Sequence, residues 1–83
     1  MNILYFAWVR EKVGVAEERI TPPAAVETVG QLMDWLATQS PKHATAFSNR
    51  AQIRAAVDQV HSAHGARITG AKEIAFFPPV TGG

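Results

Sequence analysis

Phe76-Phe77-Pro78-Pro79-Val80-Thr81-Gly82-Gly83 is the stretch from which the rest of the chain is read. Two aromatics end an apolar run. Two prolines follow, and neither can donate to a strand ladder. Two residues with side chains come next, then two glycines. The reading is a folded body that stops at Phe77 and a tail over 78–83, held away from it by the stiff Pro-Pro pair. Glycine has no Cβ, so its backbone can approach another surface closely. The expected role is a free carboxylate on Gly83 that enters a narrow site in a partner. The plainer alternative is a frayed end.

Working back, Glu73 to Phe77 reads as the last strand. At the other end, Ile3-Leu4-Tyr5-Phe6-Ala7-Trp8-Val9 is a continuous apolar run and reads as one strand with two apolar faces. Alternation puts Ile3, Tyr5, Ala7 and Val9 on one face and Leu4, Phe6 and Trp8 on the other. One helix covers only one face of a small sheet, so the second apolar face calls for a partner. Arg10 to Gly14 reads as a turn. Val15 to Ile20 reads as an edge strand that Thr21-Pro22-Pro23 stops.

Thr28 and Gln31 have the spacing of a capping box. Val29, Leu32, Met33 and Leu36 then form one helical stripe, a core face rather than a cofactor site. Ser40-Pro41 is expected to end this helix. Residues 41–52 read as a loop with one short helical turn. Ile53, Ala55 and Val57 alternate with Arg54, Ala56 and Asp58 as a half-buried strand whose first set faces the helix. Residues 59–71 have room for one short strand.

Composition excludes several classes. Eighty-three residues make one small domain, and an apolar fraction of 47% is enough for a packed core. Eight Lys and Arg face seven Asp and Glu, scattered along the chain, so no nucleic-acid footprint is present. There is no cysteine, hence no disulfide framework and no thiolate metal ligation. Residues 3–9 lack the basic flank and cleavage site of a signal peptide and are too short to span a membrane, so a cytoplasmic protein is expected. His61 and His64 read as loop histidines rather than metal ligands. No Ser-His-Asp set or phosphate-binding loop emerges. The expectation is a protein with no metal, no stably bound cofactor and no catalytic centre of its own.

The string FFPPVTGG resembles the C-terminus of the small subunits of molybdopterin synthase, sulfur carriers of the ubiquitin-like β-grasp family. The resemblance extends to ILYFAWVREKVG at 3–14, AAVDQ at 55–59 and KEIAFFPP at 72–79. It implies an α+β fold with a mixed sheet of four to five strands on one main helix, the first and last strands adjacent and parallel. It further implies that a ubiquitin-activating-like adenylyltransferase uses ATP to adenylate Gly83, beside Gly82. A sulfur donor protein then converts the adenylate to a thiocarboxylate. The loaded tail, Pro78 to Gly83, inserts into the large synthase subunit, where two successive carriers supply the dithiolene sulfurs of molybdopterin.

Phe6 and Phe77 match positions that the family uses for subunit contact, and strand parity adds Trp8. The partner-binding set is therefore Phe6, Trp8, Phe77, Pro78, Pro79, Val80 and Thr81. The sequence departs from the family pattern twice. Gly70-Ala71-Lys72 stands where Asp-Gly-Asp is usual, and Asp58 stands where Asn is usual. Two alternatives stay open: a carrier for thiamin or tRNA thiolation or a protein modifier, and a β-grasp interaction module whose tail is chemically idle.

Overall fold

The computed structural model of the chain describes residues 1–79. Its elements, in order, are β1 (Asn2–Tyr5), α1 (Ala7–Val13), β2 (Glu17–Arg19), α2 (Val29–Ala37), α3 (Pro41–Ala46), a 3-10 turn over Arg50–Gln52, β3 (Arg54–Val57), β4 (Val60–Ser62) and β5 (Glu73–Phe77). The five strands form one mixed sheet in the order β2-β1-β5-β3-β4. β1 and β5 run parallel at its centre, Ile3 opposite Ile74 and Tyr5 opposite Phe76. The other pairings are antiparallel. This is the β-grasp arrangement, with α2 as the longest helix and two shorter helices beside it.

The apolar run at the start is not one strand. β1 stops at Tyr5, Phe6 is extended, and Ala7 takes φ 52°. That left-handed residue turns the chain into α1, where the expected strand end and turn were read. Val9 and Val13, four residues apart, are the buried side of α1. Gly14 closes the helix at φ 94°, its N–H donating to the Arg10 carbonyl at 2.8 Å. A left-handed C-terminal residue satisfies an orphan carbonyl, and glycine adopts it without strain.

α2 begins as its sequence dictates. The Thr28 hydroxyl accepts from the Gln31 N–H at 3.2 Å, and the Gln31 side chain accepts from the Thr28 N–H at 3.2 Å. Val29, Leu32, Met33 and Leu36 are all fully buried. Gly30 donates to the His64 carbonyl at 2.7 Å, and a Cβ there would lie 3.3 Å from that oxygen. The glycine thus lets the 63–71 connection lie close against the helix start.

α2 ends at Ala37, and Ser40-Pro41 begins the next helix. The Ser40 hydroxyl accepts from the His43 N–H at 3.1 Å, and Pro41 occupies the first turn, where its missing N–H costs nothing. The segment 41–52, expected as a loop with one short helical turn, is a short helix followed by a 3-10 turn. The core lies between the helices and one sheet face, built from Ile3, Tyr5, Ile74 and Phe76 below Leu32, Met33, Leu36 and Phe47. Ile53 and Ala55 are buried in it and Val57 packs against it, so the strand faces point as expected. The Phe47 and Phe76 rings meet edge to face at 5.1 Å.

Asp58 and Gln59, at φ 46° and 70°, form the two-residue turn of the β3–β4 hairpin. One Asp58 carboxylate oxygen accepts from the N–H groups of Lys72 and Glu73, both at 2.9 Å. The two departures from the family pattern are thus in contact. No helix among the described residues is long and apolar enough to cross a membrane.

Candidate functional site: the open sheet face and the tail exit

Only one face of the sheet carries helices. The other is set by the same alternation that fills the core. Leu4 lies opposite Ala75 and Phe77 opposite Arg54, while Ala56 pairs with Ala75 on one side and His61 on the other. The centre of this face is apolar. Ala56 and Ala75 are small enough to be covered by their neighbours, whereas Leu4 and Phe77 are half-buried. The His61 ring lies 5.2 Å from that of Phe77. Glu17, Arg19, Glu73 and Arg54 supply charge around this centre, a composition suited to a protein interface.

Phe6 continues β1 by one residue, its N–H donating to the Phe76 carbonyl at 3.0 Å. Alternation places it on the Leu4 side, and it is 47% exposed. An aromatic this open, beside Phe77, is the anchor type that interfaces favour. Because β1 and β5 are parallel, Phe6 stands at the edge where the chain leaves the sheet as Pro78 and Pro79, both half-buried. Val80, Thr81, Gly82 and Gly83, the rest of the expected site, lie outside the described residues.

Trp8 is a correction. Its placement on this face assumed that the strand runs to Val9. Instead it lies on α1, packed against the core on the helix side, with the Lys12 ammonium 5.3 Å from its ring centre. His61 is a second correction, since it belongs to β4 and the open face rather than to a loop. Its signal was the turn-forming Asp58-Gln59 pair two residues earlier. His64 points elsewhere, its Nε2 2.8 Å from the Ile53 carbonyl oxygen.

Behind the face, a polar chain ties the edge strand to the helices. The Tyr5 hydroxyl donates to Glu18 at 2.5 Å, and the same carboxylate oxygen lies 2.7 Å from His43 Nε2. Ser40 Oγ lies 2.7 Å from the other His43 ring nitrogen. Burial, and then the Glu18 carboxylate, push the Tyr5 hydroxyl pKa far up. Burial pushes Glu18 up, but hydrogen bonds from His43 and Tyr5 and the His43 charge outweigh it and hold the carboxyl below its ordinary range. The chain is structural, lying on the covered side of the sheet.

Residues 3–83 match the model of the ThiS family. The chain belongs to this family. Over 83 residues it is 39% identical to the molybdopterin synthase sulfur carrier subunit of Escherichia coli (strain K12), covering 100% of this chain and 99% of the relative. It is 34% identical, with the same coverage, to the subunit of that name from Haemophilus influenzae. Among solved structures it is similar to SAMP1 from Haloferax volcanii, with a TM-score of 0.72 and 27% identity over 100% of this chain and 98% of that one.

Proposed function

We propose that this chain is a sulfur carrier of molybdenum cofactor biosynthesis, acting through the carboxylate of Gly83. The observation that carries the reading is full-length similarity to sulfur carrier subunits, in a chain whose central strand β5 runs directly into Pro78-Pro79 beside an open apolar face. The face docks the large synthase subunit and the tail reaches its site. Six residues from Pro78 span at most roughly 20 Å, enough to thread a pocket while the sheet stays outside.

A carboxylate is a poor acyl donor because its leaving group would be oxide. An activating adenylyltransferase joins it to the α-phosphate of ATP and releases pyrophosphate. The acyl-adenylate then has AMP as leaving group; the terminal sulfur of a donor-protein persulfide displaces it, and a thiol cleaves the resulting acyl disulfide to leave the thiocarboxylate and a disulfide on the donor. ATP is thus consumed on the activating enzyme, not held by this chain. In the large subunit the thiocarboxylate sulfur passes to the pterin precursor, and a second carrier supplies the second dithiolene sulfur.

The test is intact mass after incubation with the adenylyltransferase, ATP and sulfur donor, for wild type and Gly82→Val. The reading expects a sulfur-for-oxygen change confined to the C-terminal peptide of the wild type. Valine excludes positive φ and adds bulk where the channel is narrowest, so charging should fall sharply. Charging of the variant at the wild-type rate would overturn the narrow-channel argument. No charging of the wild type would leave an interaction module with an idle tail.

A further inference from the structure

α1 and α3 pack side by side, and between them a groove of about 310 Å³ opens to solvent. Trp8 and Lys12, one helical turn apart on α1, form one wall. Ser48, Asn49 and Gln52, which follow α3, form the other. Among the described residues, Lys12 is the only ionic side chain lining the groove. It lies over the Trp8 ring, and among the described residues it forms no ion pair. The neighbouring Arg50 is not available, because it is paired with Asp34. The Ser48 hydroxyl donates to the Thr45 carbonyl, so the donors left to a ligand are the Lys12 ammonium and the Asn49 and Gln52 amides. The groove is therefore a positioned cation with neutral donors opposite and no carboxylate to answer it.

Its place in the fold says what could reach it. α1 starts immediately after β1, and the 3-10 turn leads into β3 at Arg54, opposite Phe77. The groove thus borders the same end of the sheet where the chain leaves as Pro78, with Phe6 between groove and open face. A protein seated on Phe6 and Phe77 has the groove at its margin.

We propose that this groove receives an acidic segment of a partner protein, one carboxylate of which pairs with Lys12 while the Asn49 and Gln52 amides donate to further oxygens of the segment. Charge complementarity fixes the sign of the occupant, and the cation–π contact holds the ammonium ready at little further ordering cost. The inference rests on the groove itself and not on the chemistry of the tail, so it stands or falls separately from the charging assay.

The experiment titrates a capped hexapeptide of glutamate into the full chain, labelled for NMR, with a glutamine hexapeptide and inorganic phosphate as comparisons. The expected result is movement of the Trp8 indole N–H and of the Asn49 and Gln52 side-chain amides with the acidic peptide alone. Lys12→Gln should weaken binding about tenfold or more, and Lys12→Arg should largely retain it. Gln52→Glu, which places a like charge in the groove, should also abolish it. Absence of these shifts, equal shifts with the neutral peptide, or binding unchanged in Lys12→Gln would overturn the proposal. Equal shifts with phosphate would overturn it too, and make the groove a small-anion site.

Discussion

The Asp58 carboxylate holds the Lys72 amide at 2.9 Å, so the hairpin turn after β3 fixes the entry into β5. The same oxygen takes the Glu73 amide, and the Asp58 N–H donates back to the Glu73 carbonyl at 2.9 Å. Asp58→Ala removes an ionised acceptor from two N–H groups and leaves a left-handed alanine. It should cost about 1–3 kcal/mol, seen as a drop in Tm of several degrees. Asp58→Asn keeps an oxygen in place and a residue that tolerates positive φ, and should stay close to wild type. Equal losses in the two variants would show that the charge, not the acceptor geometry, matters.

Stability should fall at both ends of the pH range, through Glu18 in acid and through the buried Tyr5 hydroxyl in base. Glu18 titrates below its unfolded value, so its contribution is present above about pH 4–5 and is lost as pH falls through the folded pKa. Tyr5 titrates above its unfolded value, so its contribution is present below about pH 10 and declines as pH rises beyond that. Denaturant midpoints across pH should show both limbs in the wild type. Glu18→Gln should flatten the acid limb. An unchanged acid limb in that variant would exclude Glu18 as its source.

Phe76 and Phe77 are adjacent and should behave oppositely. Phe76 is fully buried among Tyr5 and Phe47, and Phe76→Ala should cost about 3–5 kcal/mol of stability. Phe77 lies on the open face, and Phe77→Ala should weaken binding of the large synthase subunit by about 2 kcal/mol or more while sparing the fold. Calorimetric titration beside thermal melts separates the two. A large stability loss with unchanged binding for Phe77→Ala would place the docking face elsewhere.

Gly14→Ala should destabilise by about 1–2 kcal/mol, the strain of an L-residue at φ 94°. Space is not the reason, since an added Cβ would meet only the flexible Lys42 side chain at 3.5 Å. A melting temperature equal to wild type would mean that the helix end relaxes.

The parts legible in the sequence were those with an unambiguous local code. The Thr28–Gln31 box, the buried stripe of α2 and the strand over Glu73–Phe77 all carry such a code. What failed had two valid local readings. Residues 3–9 are apolar at nearly every position, so strand alternation and the helical spacing of Val9 and Val13 coexist in one stretch. The choice is made at Ala7 by a positive φ that side-chain pattern does not encode. Trp8 was misplaced for that reason alone. Ser40-Pro41 is as good a helix start as a stop, and here the stop had already occurred at Ala37. Phe6 and Phe77 were placed correctly because Phe6 precedes the corner and Phe77 follows no corner at all.

The strand at the middle of the sheet is the last in sequence among the described residues. β1 and β3 are not paired with each other, and β5 is the strand that joins them. Without β5 the sheet is two separate pairs, β1 with β2 and β3 with β4, that share no strand. The pairing that joins them spans nearly the whole chain, a slow, non-local step. A chain that lacks Glu73–Phe77 has two separate strand pairs and no complete sheet.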